Sequence, residues 1–531
     1  MTKFRTMADQ TATFAPLTRR AFGVGALSAG GVWLAGAQSP ALAQEQPKRG
    51  GAVRFAYAHG DVTEALDPAL FDDTIEYVRG LCMFAYLTSL NTRGEAVAEA
   101  AESWEPNADA TVWTFRIRSG IVFTDGSPLT AEDVIFSIMR HKDEKVSSTA
   151  KALVENLVSA KKISDDQVAF ELASADVDFP ITVGLYQFGL LKDGTNDFSD
   201  PYKIVGAGPF ILKEFQPGIR SVYERNPDYW KEGRPYIDQL ETFPIPDTAA
   251  RVNALLAGDV DLISDVRGNA IDEVKNSATA SLFVTPAARY TALQSIATMA
   301  PSDNVELNFA LSYLFDRKRI LDTVMRGNGQ IGNDHPIAPS SPYYNADLPQ
   351  RELDHDKAKF HFAKSGFGST PLEVSASVAA VFSVEMGQIL AREASRIGLN
   401  VRIRNESSDG YWTVVTGKKP YSFSNFNPRP TYNQLLNLAW RSGAVWNFSH
   451  YENPQLDELI DLTRSTLDIG QRTAHYHDLQ EIIYNSGAIM LPTFFNYVDG
   501  HSKKLKGLEP IPINPLGGSN FAVNVWIDDN A

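Results

Sequence analysis

The sequence predicts a multi-lobed α/β protein, on three observations. Blocks in which a helix pattern leads straight into a strand pattern recur along most of the chain. Beyond an N-terminal targeting segment about 488 residues remain, too many for one core and enough for two or three domains. Composition is that of a globular protein, 44% hydrophobic and 21% charged, with no tandem repeat or low-complexity tract.

Taken in order, residues 51–58 (GAVRFAYA) alternate as a strand and break at His59-Gly60-Asp61. Residues 71–90 read as a helix with Ile75, Val78, Leu81 and Met83 among its apolar positions. Residues 111–118 (TVWTFRIR) alternate perfectly and predict a strand, followed by a turn at Asp125-Gly126. Thr130 predicts a helix N-cap, with Glu132 and Asp133 in the first turn and Val134, Ile135 and Ile138 inward. Gly208-Pro209 punctuates before an extended segment from Phe210. Thr248 is expected to cap a helix through Leu256 that stops at Gly258, with a short strand over 259–262. A long helix is predicted over 305–325, ending at Gly327. Another spans 386–397, stops at Gly398 and leads into a strand over 399–403.

Residues 1–43 read as an export signal. Arg19-Arg20 precede a mildly apolar run from Ala21 to Ala37, and Ala41-Leu42-Ala43 offers a small-x-small cleavage site. Paired arginines before a weak apolar core point to twin-arginine export. A membrane anchor is the alternative, but the run is glycine-diluted and shorter than the roughly 20 apolar residues a span needs. Cleavage would remove Lys3, Arg5, Arg19, Arg20 and Asp9, leaving 45 basic and 63 acidic side chains and moving the formal charge from −15 to −18. Such a balance argues against nucleic acid or an anionic membrane surface as partner. The single cysteine, Cys82, cannot form an internal disulfide and is read as a small buried hydrophobe.

Three stretches carry a family resemblance. Residues 113–137 read WTFRIRSGIVFTDGSPLTAEDVIFS; GAGPF at 206–210 is followed by RNPDYW at 225–230; and residues 251–261 read RVNALLAGDVD. With weaker echoes from Phe315-Asp316-Arg317 onward, nearly the whole chain beyond the signal resembles the large solute-binding proteins of ATP-driven importers, of the peptide- and nickel-binding type. One departure is Glu306, where the family usually has arginine, which implies only a changed surface ion pair. The resemblance implies a two-lobed periplasmic-binding-protein fold of type II, in its large cluster, with an extra subdomain inserted in the first lobe and a ligand cleft between lobes. The expected division is lobe I from 44–90, 205–300 and 497–531, the inserted subdomain from 91–204, and lobe II from 301–496. Tyr229-Trp230 is expected to pack between lobes. Implied partners are a small-molecule solute, an inner-membrane permease and its ATPase, with the binding protein itself a monomer.

In the dipeptide-binding relatives an aspartate in the segment corresponding to 425–433 holds the ligand's amino group, and an arginine in the loop corresponding to 377–383 holds its carboxylate. Here those segments read NFNPRPTYN and SVAAVFS, with no acid in the first and no base in the second. A generic dipeptide is therefore not the expected ligand. Arg429, clamped between Pro428 and Pro430, offers instead a planar fork that matches a carboxylate. Phe426, Tyr432, Trp440 and Trp446 are candidate faces, and Asn425, Asn433 and Asn447 candidate amides. The competing reading has Arg429 bridging two loops through carbonyls, with the aromatics in the core. Topology adds His59, Gly60, Trp412 and Asn496 as candidate contacts. Such a lining suits an opine-like conjugate, a modified peptide or a metal chelate, with nickel or haem carriage as the alternative. No nucleophile elbow, metal-ligand cluster or carboxylate pair stands out, so an exported hydrolase is the weaker alternative and neither cofactor nor resident metal is expected.

Overall fold

The computed structural model describes residues 46–530, and the export signal expected over 1–43 lies outside them. From the N-terminal side come strand β1 (Ala52–Tyr57), helix α1 (Thr74–Met83) and two strands of a separate small sheet, β2 (Ala101–Pro106) and β3 (Val112–Ile117). Helix α2 (Ala131–Met139) leads to the small sheet's other strands, β4 (Leu157–Ser164) and β5 (Gln167–Leu172). Then follow β6 (Phe210–Gln216), β7 (Arg220–Arg225), β8 (Gln239–Pro244), α3 (Thr248–Ala257), β9 (Leu262–Ile263) and the long β10 (Ala280–Ser295). The remaining framework is α4 (Val305–Leu314), β11 (Leu372–Ala376), α5 (Ser383–Ser395), β12 (Val401–Asn405) and β13 (Tyr421–Phe426). It closes with α6 (Tyr432–Ala439), α7 (Pro454–Ser465), α8 (Ile469–Ser486) and β14 (Thr493–Ser502).

The main sheet runs β12-β11-β13-β10-β14-β9-β1-β8-β7-β6. Its two halves are the two lobes of the fold, and β10 and β14 belong to both. Ala280 to Thr285 pair antiparallel with residues 497–502 beside β9, whereas Tyr290 to Ser295 pair with β13. The register breaks between Thr285 and Arg289, so the chain passes from one half to the other inside β10. Pro286 explains the break, because proline donates nothing to a ladder. The small sheet, in order β2-β3-β5-β4, has its own core around Phe115, whose ring meets Phe170 and Phe179 edge-on.

Thr130 caps α2 in a capping box, as its sequence predicts: its hydroxyl accepts from Asp133 N and the Asp133 carboxylate accepts from Thr130 N. The Cys82 thiol is buried. Four expectations are corrected. The helix expected over 71–90 ends at Met83, because Phe84 to Leu87 are buried on every side and carry no helical period; Thr88–Leu90 is strand. The cap of α3 is Asp247, which accepts from Ala250 N, not Thr248. The helix expected over 305–325 stops at Leu314. The buried Arg317 guanidinium donates to the Ser312 carbonyl at 3.0 Å and to Asp334, and after the break at Phe315 and Asp316 the chain is helical again over Arg317–Arg319 and, as a π-helix, Ile320–Val324. Trp230 packs on the small-sheet core, with the Arg118 guanidinium 5.2 Å from its ring, rather than between lobes. Glu306 is ion-paired with Lys364 and hydrogen-bonded to His361, at 2.7 Å each.

The small-sheet region also touches the far half of the molecule. Arg472 on α8 donates to Asp178 at 2.6 Å with both side chains buried, Arg464 on α7 lies 3.4 Å from Asp176, and Val177 N donates to the Arg464 carbonyl. Removing one partner of a buried pair typically costs about 3–5 kcal/mol because the other charge is left desolvated. Here opening the cleft rehydrates the orphan, so the loss should appear as separation rather than unfolding. Arg472→Met is expected to enlarge the ligand-free protein in small-angle scattering while its melting temperature changes little, and Asp178→Asn added to it should not enlarge it further.

Candidate functional site

A cavity of about 1070 Å³ lies where the halves of the main sheet diverge. Its floor comes from the crossing strands, through Arg289 of β10 and residues 495–499 of β14. One wall holds Tyr57 to His59 after β1, Asp72 to Tyr77 at the start of α1, and Tyr186. The opposite wall holds residues 427–429 after β13 and the first turns of α5 from Val381. Helices and loops thus converge on the ends of strands, which is where open α/β sheets place ligands.

Arg429 lines this cavity. Its guanidinium carbon lies 5.1 Å from the Trp446 ring centre, and among the described residues it has no acidic partner. Burial pushes its pKa down, partly offset by the Tyr186 and Tyr290 hydroxyls. A loop-bridging role is not what its contacts display, since no carbonyl lies within hydrogen-bond reach of it among those residues.

A second cation was not singled out by the sequence. Arg289 stands at the register break of β10 with its guanidinium between two rings, 4.7 Å from Phe495 and 4.6 Å from Tyr497. Its Nε donates to Asn427 Oδ1 at 3.3 Å. Burial lowers its pKa as well. The nearest acids are committed elsewhere: Asp265 pairs with Arg267 at 2.5 Å, and Asp499 accepts from Asp265 N and Leu516 N. Burial holds the Asp499 carboxyl up, at about 7, although those two N–H groups pull it back. The available signal for Arg289 was Pro286, since a strand proline marks a bulge and bulges re-aim side chains.

Of the residues expected at the site, Arg429, His59 and Asn496 line the cavity together. Asn496 Oδ1 and the neighbouring Asn514 Nδ2 are buried without a protein partner, an acceptor and a donor left for something in the cavity. The others fall outside the lining. Phe426 and Trp440 are core residues: Phe426 stacks on Tyr290 at 5.3 Å, because the inward positions of β13 must pack against α6 and its neighbours. Tyr432 packs against that same core. Trp446 reaches the site only through the Arg429 guanidinium. Asn447 braces its own loop by donating to the Arg441 and Tyr451 carbonyls, and Asn433 donates to the Ile460 carbonyl and Thr463 Oγ1. Asn425 sits in the β10–β13 ladder opposite Thr291. Gly60 packs under Pro244 and Tyr57, and Trp412, on a short helix, is exposed and meets only the Tyr411 ring. Among the described residues no group of three or more His, Cys, Asp or Glu is placed to hold a metal ion, and no helix is long and apolar enough to cross a membrane.

This geometry has known counterparts. HbpA2 from Haemophilus parasuis superposes with a TM-score of 0.80 at 21% identity, over 90% of this chain and 100% of that one. The binding protein AgaA of A. tumefaciens R10, solved in complex with agropinic acid, gives 0.69 at 21% identity, covering 90% and 99%. In sequence, the probable D,D-dipeptide-binding periplasmic protein DdpA of Escherichia coli K12 is 25% identical over 483 residues, covering 87% of this chain and 92% of DdpA. The family model for the middle region of bacterial extracellular solute-binding proteins, family 5, matches residues 95–447. A two-lobed chain with a polar cavity at the crossing strands, matched by that model over most of its length, belongs to the family 5 extracellular solute-binding proteins.

Proposed function

We propose that this chain is the periplasmic capture component of an ABC importer for a small carboxylate-bearing solute, peptide-like or opine-like, which it hands unaltered to an inner-membrane permease and its ATPase. It is exported by the twin-arginine route, loses residues 1–43 and works as a monomer. The observation that carries the reading is Arg429, a partly buried cation on the cavity wall whose contacts include a ring but no acid. A guanidinium held that way binds a carboxylate bidentately with little further ordering. Asn496 and Asn514 supply an acceptor and a donor for the solute's hydroxyl, amide or amine groups. The relative solved with agropinic acid supports an acid of this kind. With no cluster of metal-ligating side chains among the described residues, an organic acid is favoured over a metal held directly by the protein.

Native mass spectrometry of protein purified from its own periplasm, backed by calorimetry with the solute recovered, tests the reading. Arg429→Ala is expected to weaken that solute by about 2–4 kcal/mol, because the variant leaves a desolvated carboxylate unpaired. An unchanged affinity would remove Arg429 from the site.

Affinity should also depend on pH through Asp499. This carboxyl is neutral below about 7 and charged above it, and it lines the same cavity. A negative charge there repels an anionic solute, so binding is expected to be tighter at pH 6 than at pH 8. By linkage the bound anion raises the Asp499 pKa further. Titrations across that range should slope downward with rising pH in the native protein and flatten in Asp499→Asn.

A further inference from the structure

Three guanidiniums line the cavity without an acid of their own among the described residues, Arg289, Arg319 and Arg429, and two of them, Arg429 and Arg289, are held against aromatic rings. Arg429 comes from the loop after β13, and Arg289 from the strand that crosses between lobes. Each is held in place before any solute arrives. Pro428 and Pro430 restrict the backbone around Arg429 and Trp446 covers one face of its guanidinium. The Arg289 guanidinium lies against the Phe495 and Tyr497 rings, and its Nε donates to Asn427. Its terminal amino groups have no protein acceptor among the described residues. Two acids come near Arg289, Asp265 and Asp499. Asp265 is committed to Arg267, and Asp499 to two backbone N–H groups. The Tyr497 hydroxyl feels both guanidiniums, which ties the two into one electrostatic unit.

Desolvating one guanidinium without a counter-charge is costly, and desolvating two costs more. A solute with a single acid group would relieve only one of them when the lobes close. We propose that the solute is a dianion whose two acid groups are set apart in one molecule, one received by Arg429 and the other by Arg289. This rests on the capture role proposed above and adds the class of solute. Arg289 is then a specificity residue: it distinguishes a diacid from its monoamide, which has the same shape and one charge fewer.

The test uses the mature protein with three probe sets. One is a series of N-carboxyalkyl amino acids and linear dicarboxylates, the second their monoamides, and the third short neutral peptides. Thermal shift ranks them and calorimetry measures those that bind. At least one diacid is expected to raise the melting temperature and to bind about tenfold or more tighter than its monoamide, the usual scale for a desolvated charge pair. Arg289→Gln should abolish the preference, so that diacid and monoamide bind alike, with the diacid weakened and the monoamide bound no more weakly than by the native protein, because the variant removes an unpaired charge as well as a partner. Arg289→Lys, which keeps the charge but not the fork, should restore part of the preference. Equal binding of diacid and monoamide, an equal loss of both in Arg289→Gln, or no response to any diacid at millimolar concentration would each overturn the proposal. If monoamides or peptides bind while diacids do not, the dianion falls and the capture role stands. If no probe of any set raises the melting temperature or contracts the protein in scattering, the capture role falls with it.

Discussion

The molecule depends on one pair of antiparallel strands, β10 and β14, that serve both lobes at once. Each contributes to the sheet of either half, and the ladder between them slips at Thr285–Arg289. A continuous ladder would weld the halves into one rigid slab. The slip leaves a joint with its hydrogen bonds intact on both sides, which is what hinge closure requires. Arg289, Phe495, Tyr497 and Asp499 all sit on or beside that joint and line the cavity. Coupling of solute to closure then needs no relay through the protein.

Electrostatics at the joint run against the rest of the chain. The whole sequence carries a formal charge of −15, yet Arg289 and Arg429 stand in the cavity against aromatic rings and without acids. An acidic surface slows the approach of an anion, and the local field of a concave site offsets this only within about one Debye length, roughly 8 Å at physiological salt. Burial also makes the cations costly when the cavity is empty, and it depresses both their pKa values. An anion that settles between the lobes removes that cost. Favouring the closed arrangement and binding the solute are thus the same electrostatic event.

Much of the scaffold was legible because local chemistry decides it. The capping box at Thr130 and Asp133, the alternation of residues 111–118 and the left-handed glycine at 258 are each fixed within a few residues, whatever the rest of the chain does. What was not legible depends on distant partners. Nothing near Arg317 announces that its guanidinium will end α4 by bonding Asp334, seventeen residues away. The aromatic richness around Arg429 drew Phe426 and Trp440 toward the site by composition, whereas strand alternation and the needs of α6 sent them inward. Arg429 announced itself through its prolines. Arg289 did not, because its meaning lies in a register slip and in residues 495–497, which approach it only once the lobes are built.

The seam opposite the joint sets a limit on how tightly the protein is held shut. Arg472–Asp178 and Arg464–Asp176 join the small-sheet region to α7 and α8, outside the cavity lining. If those pairs closed the lobes outright, the solute would find no open form to enter and its apparent affinity would fall by the fraction of molecules still open. Asp176 and Asp178 are also like charges two residues apart. Burial and that proximity raise the Asp176 carboxyl to about 6, a sign that the seam is strained electrostatically even while it is bonded. A contact with favourable pairs and an unfavourable neighbour is weaker than the pairs alone would make it. The solute's charges then supply the remaining difference between the two arrangements, which is the condition for a carrier that closes on its ligand and can still release it.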